Sequence, residues 1–460
     1  MSKERDMTVG RPLPILLSFI LPLLLGLLFQ QFYSMVDTVV VGKSLGVEAL
    51  AGVGSTGSIS FLIIGLCTGI CSGFAIPVAQ KFGERDEDGL RRFVGNMVWL
   101  GSLIALVMTL LTTLGCRWIL TAMNTPEDTF SYAYDYIFLI FLGIPATMLY
   151  NTLSGILRSL GDSRTPLLFL IFSSLLNVAL DLLFVVTFKM GVAGAGWATL
   201  ISQLVSGLLC LVYMAKKFPI LRLSRDDLKA RKLYAVRLLF MGLPMGLQYS
   251  ITAIGTILLQ TAVNGLGAAA MAAMTASSKV TGLFAVPFDA IGSTATTYAG
   301  QNLGAGKLDR VNAGVKACAL LGSIYSVVAL IVLYFGAAPL SGLFLNSDEA
   351  AAAGQILPMA RQLLVINAAF YIPLLFVNLL RFTIQGLGYS NLAVIAGVSE
   401  MVARGIVALG LVPVLGFTAV CYASPAAWVM ADCFLFPAYF YCVKKRKAQY
   451  APRAARAGTL

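Results

Sequence analysis

Short blocks of this sequence recur at a nearly constant separation, and this internal duplication constrains the fold more than any other feature. Two blocks reappear at one and the same offset, and a third reappears at a slightly larger one. The pairs are Leu45–Gly52 with Leu266–Ala273, Ala79–Gly83 with Gly300–Gly304, and Leu160–Ser163 with Leu387–Ser390. The chain is therefore interpreted as two homologous halves, an architecture typical of membrane transporters.

Composition places the chain in the membrane. Hydrophobic residues make up 58% of the 460 residues and charged residues 12%, whereas about a quarter of a soluble domain is charged. A spanning helix needs about 20 apolar residues, and about twelve such segments are present. They cover 12–41, 47–79, 92–116, 130–157, 165–188, 193–215, 235–263, 268–300, 312–337, 353–384, 392–413 and 417–443. The predicted fold is an all-α integral membrane protein with about twelve transmembrane helices in two six-helix lobes.

Basic residues predict the topology. With a cytoplasmic N-terminus, 27 of the 33 Lys and Arg residues, Arg381 among them, fall on the cytoplasmic side and four fall outside. We therefore expect both termini in the cytoplasm and a cell (inner) membrane location. The net charge of +12 is explained by this topology and by anionic lipid, with no nucleic-acid partner. The predicted divisions are an N-lobe 1–215, a cytoplasmic linker 216–234, a C-lobe 235–445 and a basic cytoplasmic tail 446–460.

Cysteine and histidine usage narrows the chemistry. The eight cysteines form no CxxC pair, and the chain has no histidine. No disulfide framework or metal cluster is predicted, and proton chemistry inside the membrane falls to carboxylates. Without a metal cluster or a nucleophile motif, the chain is not expected to be an enzyme.

Polar residues form two helical stripes within the apolar segments. The first segment carries four at i, i+3, i+4 and i+7, and the fifth carries three at i, i+4 and i+8, so each set lies on one helix face. The first set is Gln30, Tyr33, Ser34 and Asp37, and the second is Ser173, Asn177 and Asp181. Tyr136 and Asn151 in the fourth segment and Thr199 in the sixth add to them. We expect these side chains to line a polar cavity in the first half.

The second half lacks counterparts of both acids. Repeat-equivalent pairs are Asp37 with Leu258, Asp181 with Ala408, Thr199 with Ala426, and Asn151 with Asn378. A carboxylate in hydrocarbon costs about 2.5–3.5 kcal/mol on insertion scales. Confinement of the acids to one half favours a specific task over the packing of repeats. The alternative is an interfacial Asp37 with an Asp181 that is simply hydrogen-bonded.

Ion coupling is the task that the residue types suggest. Two nearby carboxylates in a poorly hydrated cavity disfavour the doubly ionised state, so one of them can carry an exchangeable proton. Alternatively, Asn177, Asp181 and Thr199 offer oxygen ligands to Na⁺. We prefer H⁺ as the coupling ion, expect no cofactor, and predict no metal site beyond this one for Na⁺.

Other intramembrane residues give weaker signals. Lys279 in the eighth segment is a candidate cavity residue. Glu400 and Arg404 are four residues apart and are predicted to form an intrahelical pair with a structural role. Pro22 lies in the middle of the first segment, where it removes a backbone hydrogen bond and forms either a static kink or a hinge.

Several motifs together resemble the multidrug and toxic compound extrusion (MATE) family. They are Val36–Thr38 followed by Val41–Gly42, Pro77–Gln80, Asn177–Asp181, Gly194–Thr199 and Gly300–Gly306. The resemblance implies a two-lobe transporter that exports amphipathic, often cationic compounds by alternating access, in antiport with H⁺ or Na⁺. It also implies an ion-coupling site formed by Asp37, Asn177, Asp181 and Thr199, with Tyr136 and Asn151 nearby and Pro22 as the bending proline.

One departure from the family pattern assigns a branch. The NorM-like branch places a glutamate about ten residues after the Gly-Leu-Pro found here at 242–244, where this chain has Thr252. The pattern is more similar to the DinF-like branch. The rival function is a lipid-linked oligosaccharide flippase of the same superfamily. Expected partners are small amphipathic substrates and membrane lipid, and a monomer is expected.

Overall fold

A computed structural model describes residues 6–123, 125–345 and 353–457, without the side chains at 34, 37–39, 47 and 451–457. Every regular element in these ranges is helical, as predicted. The α-helices are α1 (Pro12–Leu45), α2 (Val47–Ser55), α3 (Gly57–Glu84), α4 (Glu87–Ala122), α5 (Glu127–Leu142), α6 (Ile144–Ser159), α7 (Arg164–Asp181), α8 (Val192–Lys217), α9 (Lys232–Asn264), α10 (Ala268–Gly304), α11 (Leu308–Gly342), α12 (Ala353–Ala369), α13 (Tyr371–Gly386), α14 (Ser390–Ile406), α15 (Val412–Leu415) and α16 (Phe417–Ala457).

The predicted transmembrane architecture is confirmed. Ten helical spans are long and apolar enough to cross a membrane in the described part of the chain, and the number is twelve when each of two bent helix pairs counts as one span. Each predicted segment matches one of these spans or bent pairs. The protein is therefore a multi-pass membrane protein.

The internal duplication is visible in the backbone. Gly46 and Gly267 have φ values of 90° and 95°, and Arg85 and Gly306 have 59° and 71°; both pairs are separated by the offset of the first two repeated blocks. The α5–α6 pair bends by 44° and the α12–α13 pair by 53°. A π-helical segment follows α7 at Leu182–Thr187, and another follows α14 at Val407–Leu411. Irregular features thus recur at matching places in both halves.

Contacts divide the chain into two compact units. Unit 1 contains Met1–Val9 and Ser18–Ser250, and unit 2 contains Gly10–Leu17 and Ile251–Leu460. Helix α9 accordingly contributes its first part to unit 1 and its second part to unit 2. The lobe boundaries predicted from the sequence were drawn from the internal repeat, whereas these units are defined by contacts between residues. The predicted boundaries therefore stay a prediction.

Glycines allow α3 and α9 to cross closely in unit 1. A Cβ atom on Gly73 would lie 2.5 Å from the Gly242 Cα, and one on Gly69 would lie 2.7 Å from the Gly246 Cα. Each helix thus presents two glycines four residues apart, the small-residue spacing that brings membrane helices together.

The segment before α9 is docked on α4. The Asn96 side chain donates to the Lys229 carbonyl at 3.4 Å and accepts from the Arg231 backbone N–H at 2.9 Å. The Trp99 indole donates to the Leu228 carbonyl at 2.5 Å. A Cβ on Gly95 would collide with the Asp227 carbonyl oxygen at 2.1 Å. The predicted linker therefore lies against unit 1 at these residues.

Candidate functional site

The polar stripe of α7 is buried in unit 1. Asp181 is 0% exposed, Asn177 is 2% exposed, and Ser173 is 3% exposed. The Ser173 hydroxyl donates to the Ser202 carbonyl of α8 at 3.0 Å. Both polar atoms of the Asn177 amide are buried and have no hydrogen-bond partner among the described residues. A buried, unsatisfied amide costs free energy unless a ligand completes it.

The helix changes its winding directly after Asp181. The π-helical segment Leu182–Thr187 begins at the next residue, and such segments are frequent at functional sites because they redirect side chains. Val185 of this segment belongs to an apolar cluster with Val41, Ala49, Val192 and Ala195, and the half-buried Tyr136 packs against it. Tyr136 therefore lies at the end of unit 1 where α7 terminates.

The remaining predicted residues of unit 1 are less enclosed. Thr199 is half-buried, and its carbonyl accepts from the Ser202 hydroxyl at 3.0 Å. Helix α7 packs along α8, which puts Thr199 on the neighbouring helix of Asn177. The Asn151 amide donates to the Thr147 carbonyl of its own helix at 2.8 Å.

Asn378 repeats this arrangement in unit 2. Its amide donates to the Leu374 carbonyl at 3.2 Å, one helical turn back, as Asn151 does in unit 1. Lys279 is exposed on α10. The two halves therefore share the same hydrogen bond at this asparagine. The position equivalent to Lys279 in the first half is the uncharged Ser58.

Helix α1 is continuous through its proline. It extends from Pro12 to Leu45 with the half-buried Pro22 inside it. Gln30 is exposed and Tyr33 is half-buried. The side chain of Asp37 lies outside the described residues, so its position relative to Asp181 stays a prediction.

A buried charge cluster in unit 2 was not predicted from the sequence. Arg381 of α13 donates to one oxygen of Glu400, and Arg404 pairs with the other oxygen at 3.4 Å. These three side chains are between 5% and 9% exposed. The predicted Glu400–Arg404 pair is thus present. Arg381, which the topology prediction counts on the cytoplasmic side, has its side chain buried between helices; which side of the membrane it lies on stays a prediction.

Two further carboxylates lie on helices that pack against α13. Asp289 is on α10 and Asp432 is on α16. Asp289 is exposed. One oxygen of Asp432 and the Arg404 Nη1 atom are buried without a hydrogen-bond partner in the described part of the chain. We call the three paired residues the Arg381 cluster: Arg381, Glu400 and Arg404.

The sequence did contain a signal for this cluster. At the offset that relates Leu160–Ser163 to Leu387–Ser390, Glu400 and Arg404 are the counterparts of Ser173 and Asn177, so they occupy the repeat-equivalent positions of the α7 stripe. The repeat therefore indicated that Glu400 and Arg404 lie on the face of α14 that corresponds to the buried face of α7.

The described residues offer carboxylates and amides rather than a metal cluster. No group of three or more His, Cys, Asp or Glu residues suited to a metal ion occurs among them. In unit 1, the Asn177 oxygen beside a buried carboxylate suits a proton or a single oxygen-coordinated cation.

Comparison with known proteins identifies the family. The MatE family model matches residues 22–183 and 244–409, which is more than half of the chain and includes one block from each half.

Relatives and solved structures agree with this match. A probable multidrug resistance protein, YoeA of Bacillus subtilis, is 30% identical over 361 residues, 77% of each chain. An FAD transporter of Shewanella oneidensis is 23% identical over 352 residues, 75% of this chain and 78% of its own. A transporter of the MOP superfamily from Pyrococcus furiosus superposes with a TM-score of 0.89 at 20% identity, covering 97% of this chain and 99% of the other.

Proposed function

The chain belongs to the MatE family, and from this premise we propose that it is a secondary active exporter of amphipathic organic compounds, cations among them. Export is coupled to antiport of H⁺, with Na⁺ as the alternative ion. The relative named as a multidrug resistance protein supports this substrate class. The protein works in the cell membrane as a monomer, with both termini in the cytoplasm, and carries out no covalent chemistry.

The observation that carries the proposal is the fully buried Asp181. It ends α7 one turn after Asn177, whose amide has no partner among the described residues. A carboxylate at this depth is costly unless it exchanges its charge with an ion. Protonation neutralises Asp181 directly. Na⁺ would instead be held by oxygens of Asp181, Asn177 and Thr199, with Asp37 as the second acid of the site.

The transport cycle follows from a change of charge at this site. We assign substrate binding to Gln30, Tyr33, Tyr136 and Asn151 of unit 1 and to Lys279 and Asn378 of unit 2. Ion uptake at Asp37 and Asp181 removes negative charge, which weakens the binding of a cationic substrate and favours its release outside. Pro22 leaves one carbonyl of α1 without its helical hydrogen bond, so α1 bends there when the site changes charge.

Dye export from proteoliposomes tests the proposal. Purified protein is reconstituted, and efflux of a cationic dye is measured under a pH gradient and, separately, under a Na⁺ gradient. We expect Asp181→Asn and Asp37→Asn to abolish gradient-driven efflux. Asp135→Asn is the matched control, because Asp135 is an exposed residue of α5.

The outcomes separate the alternatives. Efflux driven by one gradient and lost in both variants supports the site and identifies the ion. Wild-type rates in both variants contradict the coupling site. A parallel assay with FAD, the cargo named for a relative, contradicts the proposed substrate class if FAD is transported and the dye is not.

A further inference from the structure

Helix α16 is longer than a membrane span requires. It contains Phe417–Ala457, and its apolar part ends at Val443, after which four basic residues follow at 444–447. About 20 apolar residues already cross the hydrocarbon core, so this transition marks the place where α16 reaches the membrane surface. After Asp432 the sequence has six basic residues and no acidic one. This end of α16 therefore carries a local excess of positive charge.

One face of α16 stays exposed from its apolar part into its basic part. Residues three and four apart in sequence share a helix face. The apolar residues of this face are Val429, Met430, Phe436, Phe440 and Tyr441, and the basic ones are Lys444 and Lys445. Phe440 and Tyr441 are 66% and 56% exposed, and each lies one turn before a lysine. Such a face, apolar first and then cationic, matches the acyl chains and the headgroup of an anionic lipid.

We propose that the end of this face is a binding site for an anionic phospholipid. We call it the Lys444 face, and it consists of Phe440, Tyr441, Lys444 and Lys445. The two lysines bind the phosphate of the headgroup, and the two aromatic side chains lie against the acyl chains. Lipid binding involves none of the residues assigned to ion coupling, so the inference does not rest on the proposed function.

Neither lysine of the Lys444 face has a carboxylate partner among the described residues. Lys445 donates to the Tyr441 hydroxyl at 3.3 Å, and its Nζ atom lies 5.8 Å from the centre of the Tyr389 ring. Lys444 is exposed. By contrast, the nearby Lys447 pairs with a carboxylate, that of Asp309, at 2.6 Å. The charges of Lys444 and Lys445 are therefore not compensated within the described part of the chain, and an anion from outside can compensate them.

Arg446 fixes the backbone that carries the two lysines. Its Nε and Nη2 atoms donate to the Leu387 carbonyl at 3.0 and 2.8 Å, and its guanidinium lies 4.8 Å from the centre of the Tyr389 ring. These contacts bind the end of α16 to the turn between α13 and α14. A site whose backbone is already ordered loses less entropy when a ligand binds.

The residue types suit a phospholipid better than a soluble anion. Tyrosine is enriched where the hydrocarbon core meets the headgroups, and lysines at this depth are attracted to anionic lipids. A soluble anion would satisfy the lysines but would leave Phe440 and Tyr441 without a partner. A phospholipid contacts both parts of the Lys444 face at once.

The equivalent helix of the first half lacks this combination. At the offset that relates Leu160–Ser163 to Leu387–Ser390, Lys217 of α8 is the counterpart of Lys444, and Tyr213 is the counterpart of Phe440. Tyr213 does not extend the basic end outward, because its ring packs against the buried Phe218 at a centroid distance of 6.0 Å. The end of α8 therefore offers lysines without the exposed aromatic residue.

Native mass spectrometry of the purified protein tests the proposal. The protein is titrated with dioleoyl phosphatidylglycerol and, separately, with dioleoyl phosphatidylcholine, which has the same acyl chains and no net charge. We expect Lys444→Gln/Lys445→Gln to weaken the tightest phosphatidylglycerol binding by about 25-fold, because each lysine near an anionic lipid surface contributes about fivefold. Lys444→Arg/Lys445→Arg keeps the charge and should bind as the wild type does.

The matched control is Lys216→Gln/Lys217→Gln, which removes the same charge from two exposed lysines at the end of α8. It should leave the tightest phosphatidylglycerol binding unchanged. An equal loss in this control would show general attraction to positive charge and would overturn the proposal. Equal affinity of the wild type for the two lipids, or wild-type affinity in Lys444→Gln/Lys445→Gln, would overturn it as well.

Two other occupants of the Lys444 face can be recognised in the same spectra. Displacement of phosphatidylglycerol by inorganic phosphate, but not by chloride at equal ionic strength, would assign the lysines to a free anion. A dimer that dissociates in Lys444→Gln/Lys445→Gln while lipid binding is unchanged would assign the face to a second copy of the chain. Either result would overturn the proposal. Because no transport is measured, failure here is distinct from failure of the export assay.

Discussion

The Arg381 guanidinium donates to the Glu400 carboxylate and so ties α13 to α14 inside unit 2. Arg404 engages the other oxygen of the same carboxylate. One glutamate therefore contacts two buried arginines, so we expect the stability of this region to depend on it more than on either arginine.

Replacing Glu400 with Gln should destabilise the protein strongly. The substitution keeps the side-chain shape but removes the negative charge that both buried guanidinium groups contact, and breaking a buried pair in this way costs about 3–5 kcal/mol. The measurement is the free energy of unfolding in detergent. Asp309→Asn is the control. The Asp309 side chain is 91% exposed and that of its partner Lys447 is 47% exposed, and exposed pairs contribute at most about 1 kcal/mol. Equal effects of the two variants would contradict the buried pairing.

Alanine at Gly73 should disrupt the crossing of α3 and α9. Its Cβ would lie 2.5 Å from the Gly242 Cα, so the helices must separate, and overpacking of this kind costs about 1–3 kcal/mol. Thermal unfolding measures the loss. Gly101→Ala in α4 is the matched control. Nothing lies within 4 Å of a Cβ atom added at Gly101, and helix propensity favours Ala over Gly by about 1 kcal/mol. A neutral Gly73→Ala would refute the close crossing.

Asn96→Ala should release the segment that precedes α9. The side chain bonds the Lys229 carbonyl and the Arg231 N–H, and losing such bonds costs about 1–3 kcal/mol. Because about 1.4 kcal/mol is a tenfold change in an equilibrium, trypsin cleavage at Arg225, Lys229 or Arg231 should accelerate about tenfold. Thr121→Ala removes only an exposed bond within α4 and should leave the rate unchanged. Resistance of Asn96→Ala to trypsin would contradict the docking.

Asp86 should make stability depend on acid pH. The hydrogen bond from Lys81 holds the pKa of Asp86 below its usual range, although partial burial opposes it, and the carboxylate caps α4 by accepting from the Gly89 N–H at 2.9 Å. A lowered pKa means that the stabilisation is full above the unfolded-state value of about 3.9 and disappears as pH falls through the folded-state value.

The Asp86 variants separate charge from capping. Asp86→Asn keeps a good cap but loses the ion pair, whereas Asp86→Ala loses both and should cost about 1 kcal/mol at neutral pH. The unfolding free energies of wild type and Asp86→Asn should converge below about pH 4. A constant difference between them down to about pH 3 would show that the charge of Asp86 does not matter.

The membrane helices, the internal duplication and the helix faces of the polar residues could be predicted from the sequence. Long apolar runs leave no alternative to membrane helices, because backbone groups must be satisfied within each segment, so all twelve segments were predicted. Gly46 and Gly267 lie in repeated motifs, and their similar backbone angles follow from the duplication. The spacing of Asn177 and Asp181 places them on one face of an apolar helix, and the structure shows that this face is buried.

Contacts between distant segments were decided only by the tertiary structure. Arg381 is near the end of its segment and was counted on the cytoplasmic side, and the structure shows that its buried side chain meets Glu400 of the next helix. Helix periodicity specifies which face a residue occupies, but not which neighbour that face meets. The apolar runs and repeats of this chain therefore determined its helices and its duplication, whereas packing determined its buried charges, because electrostatic compensation depends on distances that no linear pattern contains.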